Sequence, residues 1–324
     1  MTLDPQAVER FRGDVLALVD QPTRIALAVS GGPDSMAMLA LAHAAFPGAV
    51  IAATVDHRLR AGAADEAATV KAVCAEIGVP HATLQPKTPI AGASIQAQAR
   101  EARYALLADW ARGQGAAVLL TAHHADDQAE TFLMRAVRGS GVPGLAGIRA
   151  RRALPGLAIL RPLLRWRRAE LHAVAQASGW PLADDPSNRD TAHDRTRFRL
   201  LLAAEALLDP AGLARAADYA ADAESALSVL ADRFWQERAQ ASDAEVMIDL
   251  SGLPRDTRRR LARRAIAHVR DAANVTAPAF TSDANIEALL DILERDSSGT
   301  HAAVQASSRA NHARFRLAPP RRSH

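Results

Sequence analysis

The sequence predicts an α/β fold: a parallel sheet with helices on both faces, followed by a smaller, mostly helical domain. Three observations point there. Short apolar runs alternate with longer segments at helical spacing through the first two hundred or so residues. Polar residues cluster just past the ends of three of those runs. From about Asp209–Pro210 the strand-like runs give way to helical patterns.

Ile25–Val29 is short, apolar and preceded by Pro22, as suits a strand buried on both faces. Helical spacing begins at Ser35 and continues through Met36, Leu39 and Ala40. Ala49–His57 reads as a second strand ending in polar residues, Ala63–Ile77 as a helix and PHATL (residues 80–84) as a short strand. A long helix covers Ser94–Gly113, the strand Ala116–Ala122 follows, and a helix runs from about His124 to Val137. Strands alternating with helices of such length imply right-handed crossovers. Gly139–Gly147 has four glycines in nine residues and is either a flexible connection or a mobile cover over a site. Leu157–Leu164 predicts another strand, Arg167–Ser178 a helix and Asp184–Asp190 a turn-rich loop. Farther on, Ala211–Gln240, Pro254–Ala273 and Asp283–Asp296 are helical by pattern, and weak alternation over Thr300–Leu317 predicts a hairpin. The boundary therefore divides residues 1–209 from 210–324.

With 49% apolar residues, two domains can bury cores. No uninterrupted apolar run approaches the ~20 residues of a membrane span. The opening MTLDPQAVERFRGD is charged and has no signal-like apolar centre, so a cytoplasmic protein is expected. Cys74 is the only cysteine, which excludes an internal disulfide, a Cys-x-x-Cys pair, a cluster on several cysteines and a relay of two thiols. Lys71 and Lys87 are the only lysines, so arginine carries nearly all the positive charge. One dense belt runs from Arg149 through Arg161, Arg165, Arg167 and Arg168 to Arg199, and a second group spans Arg255–Arg264. A solvated helix face explains either group alone. Two groups beside a nucleotide-like site point to RNA.

The segment Ser30-Gly31-Gly32-Pro33-Asp34-Ser35 joins the first strand to the first long helix. Such a turn aims backbone N–H groups and a helix N-terminus at one spot, an anion site. Gly31 and Gly32 admit oxygens close to the backbone, and Ser30 and Ser35 add hydroxyls. It is not a Walker A loop, because no lysine follows the glycines; the alternative is an ordinary βα turn. Ligands of parallel sheets sit at the carboxyl ends of strands, where Ser30–Ser35, Asp56–His57 and His123–Asp127 converge. His123, Asp127 and Glu130 fall at i, i+4 and i+7, one face of a helix, with Ala129, Phe132, Leu133 and Ala136 on the opposite, buried face. This stripe suits either a metal or a cationic substrate. Arg100 and Arg103 lie one turn apart, either as a solvated basic face or as charge stabilisers beside a triphosphate.

With these residues assembled, SGGPDS resembles the pyrophosphatase loop of N-type ATP pyrophosphatases. VDHRLR (55–60), REARY (100–104), AHHADDQAET (122–131), RGSGVPGLAG (138–147), RPLL (161–164) and DDPSN (184–188) are similar, in order, to bacterial tRNA(Ile)-lysidine synthetases. The resemblance implies a Rossmann-like sheet of the adenine nucleotide alpha hydrolase type and a helical tRNA-binding domain after it. It also implies a reaction in which ATP adenylates the C2 oxygen of the wobble cytidine in the isoleucine tRNA with a CAU anticodon. The ε-amine of free L-lysine then displaces AMP to give lysidine. Ser30, Gly31, Gly32, Pro33, Asp34 and Ser35 would hold ATP and its pyrophosphate, and His123 and Arg103 would serve the phosphates. Asp127 and Glu130 would serve lysine, Arg195 would lie near the reacting centre, and Mg²⁺ is expected with ATP; no residue is assigned to a resident metal. Family members are commonly homodimers. The segment TAHDRTRFR departs from the family pattern at His193 and Thr196, so Arg195 and Arg197 compete for one role, and Arg195 is chosen. The chain is shorter than members that carry a third, C-terminal domain.

Two other readings share features with this one. A tRNA-thiolating relative would ordinarily need paired cysteines, which the lone Cys74 does not supply. A non-catalytic adenine-nucleotide-binding module would explain the phosphate turn but not the His123–Asp127–Glu130 stripe.

Overall fold

The computed structural model describes residues 3–58, 62–89, 95–183, 194–281 and 284–319. They pack as two compact units divided between Ala221 and Asp222. Among the described residues no helix is long and apolar enough to cross a membrane.

The first unit opens with α1 (Pro5–Leu16), a helix additional to those expected from the sequence pattern. Asp4 caps it by accepting the Gln6 N–H, and Pro5 pre-sets its first turn. Next come β1 (Ile25–Ala28), α2 (Pro33–Ala45), β2 (Val50–Val55), α3 (Ala63–Glu76), β3 (His81–Leu84) and α4 (Ile95–Gly113). They are followed by β4 (Val118–Leu120), α5 (Ala125–Val137), the one-turn α6 (Val142–Leu145), β5 (Arg151–Leu154), β6 (Leu157–Leu160), α7 (Arg168–Ser178) and α8 (Asp194–Ala204). The strand order is β3-β2-β1-β4-β6-β5, parallel from β3 to β6. Only the edge strand β5 runs antiparallel.

Alternate residues of each strand enter different cores, which is why the strands read as unbroken apolar runs. Ile25, Leu27, Val50, Ala52, Val118 and Leu120 pack with Phe11 of α1, Met36 of α2, Val70 of α3 and Leu171 of α7. Ala26, Ile51, Ala53 and Leu119 pack with Leu107 and Ala111 of α4. β1 lies between β2 and β4, so the connections leaving β1 and β4 diverge and open a crevice at their carboxyl ends.

The division between the units falls inside α9 (Pro210–Arg238). The second unit continues with β7 (Ala239–Ala241), β8 (Glu245–Asp249), α10 (Arg255–Ala272), α11 (Glu287–Glu294), β9 (Ser298–His301), β10 (Val304–Arg309) and β11 (His312–Leu317). Its helices pack on an antiparallel sheet ordered β7-β8-β11-β10-β9, of which only the final hairpin was expected. Val246, Ile248, Val304, Ala306, Ala313 and Phe315 alternate inward against Leu261 and Ile266 of α10 and Leu290 of α11.

The arginines of α10 are largely neutralised within this unit. Arg255 pairs with Glu287, Asp291 and Glu294, Arg259 with Glu287 and Asp256, Arg260 with Glu224 and Asp256, and Arg264 with Asp232. The second arginine group is thus mostly an internal ion-pair network and a weak argument for RNA.

Candidate active site

The turn after β1 separates the reasons for its two glycines. Gly31 has φ +90°, a conformation that L side chains rarely adopt, and its carbonyl accepts the Ala183 N–H at 2.9 Å. The backbone alone demands glycine there. Gly32 has φ −70° and ψ 160°, open to any residue, and the nearest atom to a β-carbon there would be Ser30 Oγ at 3.8 Å. Nothing within the protein forbids a side chain at Gly32. Pro33 occupies the first turn of α2, no side chain caps the helix, and Asp34 stands in that first turn. The Ser35 hydroxyl accepts the Ser30 N–H at 3.1 Å and donates to the Gly32 carbonyl at 2.9 Å, so it holds the turn's shape. Ser30 Oγ lies 3.2 Å from it.

His124, which no spacing argument singles out, joins this turn to α5. It is the N-cap of α5: its backbone N–H donates to Asp127 Oδ2 at 3.0 Å, and its ring Nδ1 accepts the Asp127 N–H at 3.4 Å. Its Nε2 lies 3.5 Å from Asp34 Oδ2 and 3.6 Å from Asp127 Oδ2. Burial by itself would lower the His124 pKa; the hydrogen bond to Asp34 and the charges of Asp127, Asp34 and Asp126 outweigh it and raise it. With the cap at His124, His123 precedes the helix and is not part of a helical stripe, a correction to the spacing argument. The apolar face also differs: Ala129 is buried, Phe132 and Leu133 are half-buried and Ala136 is exposed.

Asp127 and Glu130 converge on α8. Arg195 donates from Nη2 to Asp127 Oδ1 and from Nε to Glu130 Oε2, each at 2.6 Å, and Arg199 Nε donates to Glu130 Oε1 at 2.8 Å. The Glu130 side chain is only 2% exposed. A carboxylate so buried needs cationic partners, and here they are guanidinium groups. Burial would raise the Asp127 pKa, yet His124, Arg195 and His123 together hold it below its ordinary value. Arg197 faces away: its side chain is 71% exposed, and among the described residues its ion pair is with Asp194, at 3.9 Å. Of the two competing arginines, Arg195 is the one at the carboxylate pair.

His123 Nδ1 lies 3.0 Å from Thr121 Oγ1. Burial drives its pKa down to about 3 against the pull of Asp127, with Arg161, Arg195 and Arg100 adding to the drop. The ring is neutral, a hydrogen-bonding group and not a cation. On the neighbouring strand, Asp56 accepts the Arg58 N–H and the Gln85 side-chain amide, each at 2.9 Å, and so braces the end of β2. Both ring nitrogens of His57 are buried without a partner. Burial, with the charge of Arg103 adding to it, keeps its pKa low against the pull of Asp56.

The glycine-rich connection is tethered to α5. Gln128 donates to the Ile148 carbonyl at 2.9 Å and accepts its N–H at 2.6 Å, and Arg135 donates to the carbonyls of Gly144 and Gly147. Gly147 has φ +62°, which strains any L side chain, and a β-carbon there would stand 2.4 Å from the Gln128 amide oxygen, so it would push that side chain out of its bonds to Ile148. DDPSN (184–188) lies outside the described residues. Among the described residues no three His, Cys, Asp or Glu side chains converge as metal ligands.

A model of the PP-loop domain matches residues 6–206. A tRNA(Ile)-lysidine synthase of Novosphingobium aromaticivorans is 41% identical over 98% of this chain and 95% of its own length. Another, from Zymomonas mobilis, is 43% identical over 75% of each chain, and one from Methylobacterium nodulans is 46% identical over 76% of this chain and 75% of its own. Among solved structures, a U34-tRNA thiolase of Methanococcus maripaludis with its [4Fe-4S] cluster superposes with a TM-score of 0.55 at 15% identity, covering 67% of this chain and 78% of that one. That likeness concerns the fold. A bare-backbone turn, a helix-capping histidine and a carboxylate pair at one crevice of such a sheet, in a chain this close to its curated relatives, place it in the PP-loop family of tRNA(Ile)-lysidine synthases.

Proposed function

We propose that this chain attaches lysine to C2 of the wobble cytidine of the CAU-anticodon isoleucine tRNA, converting ATP to AMP and pyrophosphate. The observation that carries this is Gly32, where conformation and space admit a side chain and none is present, at the head of α2. A phosphate packed on that backbone would meet free space and a helix N-terminus. Asp34 fits Mg²⁺ accompanying the nucleotide, because its Oδ1 is buried without a hydrogen-bond partner, and one or two carboxylates plus phosphates are the usual magnesium ligands. Bound there, the ion would neutralise phosphate charge.

In the first step the cytidine C2 oxygen attacks the α-phosphorus and pyrophosphate leaves. In the second the lysine ε-amine attacks C2, and AMP departs with that oxygen. The amine has a solution pKa of ~10.4 and must lose a proton before attack. Asp127 and Glu130 would receive the ammonium. It would compete with Arg195 for their oxygens, and a displaced Arg195 would be available to the phosphoryl group at the reacting centre. Neutral His123 would donate a hydrogen bond to phosphate, and Arg103 would add charge. The second unit would grip the tRNA; a homodimer and a cytoplasmic location, where ATP, lysine and tRNA meet, belong to the same proposal. The thiolating alternative finds no thiol at this site: Cys74 is buried in α3, and burial pushes its pKa up to about 11.

The test is to incubate the protein with ATP, lysine and transcribed isoleucine tRNA and to weigh the digested nucleosides. A cytidine heavier by one lysine less one water is expected; unaltered cytidine with intact ATP would defeat the proposal.

A further inference from the structure

Arg161 is the first residue after β6, at the same carboxyl edge. The Leu160 carbonyl accepts the Thr121 N–H at 3.0 Å, so Arg161 stands beside the segment that carries His123. It is only 5% exposed. Its Nη1 donates to the Arg149 carbonyl at 2.6 Å, and its Nε is buried with no partner. Among the described residues no ion pair includes it, whereas Arg195, Arg199 and Arg167 each face a carboxylate. A guanidinium keeps its charge when buried, and a carbonyl dipole is poor compensation for a full charge. Its charge is felt at the neighbouring ring: of the cations that lower the His123 pKa, Arg161 contributes most.

We propose that Arg161 binds an anionic oxygen of one of the two small substrates, a carboxylate or a phosphate, at the strand edge beside His123. This rests on the proposed reaction. ATP supplies phosphate oxygens and lysine supplies its α-carboxylate, and both must enter this crevice. A purely architectural role would account for the bond to Arg149 but leaves the buried charge and the idle Nε unexplained.

The test uses the full chain with ATP, lysine and tRNA, and the variants Arg161→Gln, which removes the charge, and Arg161→Lys, which keeps the charge without Nε. Arg161→Gln is expected to raise the KM of one small substrate roughly ten- to hundredfold, the scale of one charge-assisted contact, with partial recovery in Arg161→Lys. If the anion is phosphate, the KM for ATP rises, ATP-induced thermal stabilisation shrinks, and the preference for lysine over lysinamide is unchanged. If it is the carboxylate, the KM for lysine rises and that preference disappears, because lysinamide keeps both amines and lacks the carboxylate. KM values for both substrates within about twofold of wild type, with only kcat reduced, would overturn the proposal. Failure of both variants to fold would do the same, by making Arg161 framework alone. ATP-induced stabilisation needs no turnover, so a wild-type protein that binds ATP yet makes no lysidine would sink the reaction separately from the phosphate role of Arg161.

Discussion

Replacing Gly32 by alanine separates folding from nucleotide binding at one backbone position. In the free protein the new methyl group would meet nothing closer than 3.8 Å, and φ −70° suits alanine. At an N-cap, glycine is preferred to alanine by about 1 kcal/mol or less, and the stiffer unfolded chain returns part of that. Gly32→Ala should therefore melt close to wild type. If phosphate oxygens rest on this backbone, the methyl group displaces them, and each charge-assisted hydrogen bond lost is worth about 1.5–3 kcal/mol. The Kd for ATP should rise roughly ten- to hundredfold. Gly31→Ala should behave in the opposite way: φ +90° strains an alanine by about 1–3 kcal/mol, lowering stability before any ligand is added. Thermal melting without nucleotide and titration calorimetry with ATP read the two effects. Wild-type ATP affinity in Gly32→Ala would refute the placement of the phosphates.

Arg195→Ala leaves the buried Glu130 with Arg199 alone; allowing for the partial exposure of Arg195, a loss of about 2–4 kcal/mol is expected. Arg197→Ala should stay within about 0.5 kcal/mol of wild type, and denaturant melts compare the two. His123 has a folded pKa of about 3 against an ordinary 6.5, so below 6.5 the unfolded chain binds the proton first and stability falls until about pH 3. The His123 contribution to unfolding free energy should thus decline from pH 7 to 5, by less than about 1.4 kcal/mol per pH unit, and His123→Gln should remove that part of the pH dependence in denaturant melts. The buried, high-pKa Cys74 should react with a thiol reagent at pH 8 roughly a hundredfold more slowly in the native protein than in urea; equal rates would contradict its burial.

Much of the first unit was legible because β1, β2 and β4 are buried on both faces and write themselves as apolar runs. β5 was not, since Arg151 and Arg152 are exposed on an edge strand and show no alternation. The second sheet hid behind its turns. Ala302-Ala303 links β9 to β10 with both residues at positive φ, and alanine carries no turn signal, whereas the turn of the expected final hairpin, Ala310-Asn311, carries an asparagine. At the site, the glycine turn and the acidic residues of α5 announce themselves by composition. His124 is recognisable only as an N-cap once the helix start is fixed. Arg161 looks like any other residue in an arginine-rich belt until its burial is known.

The most direct measurement follows ATP labelled at the α-phosphate in the presence of lysine and isoleucine tRNA. AMP and pyrophosphate should appear in amounts equal to the lysidine formed, with little AMP when tRNA is withheld. ADP as the product, or AMP released at the same rate without tRNA, would contradict adenylation at this crevice.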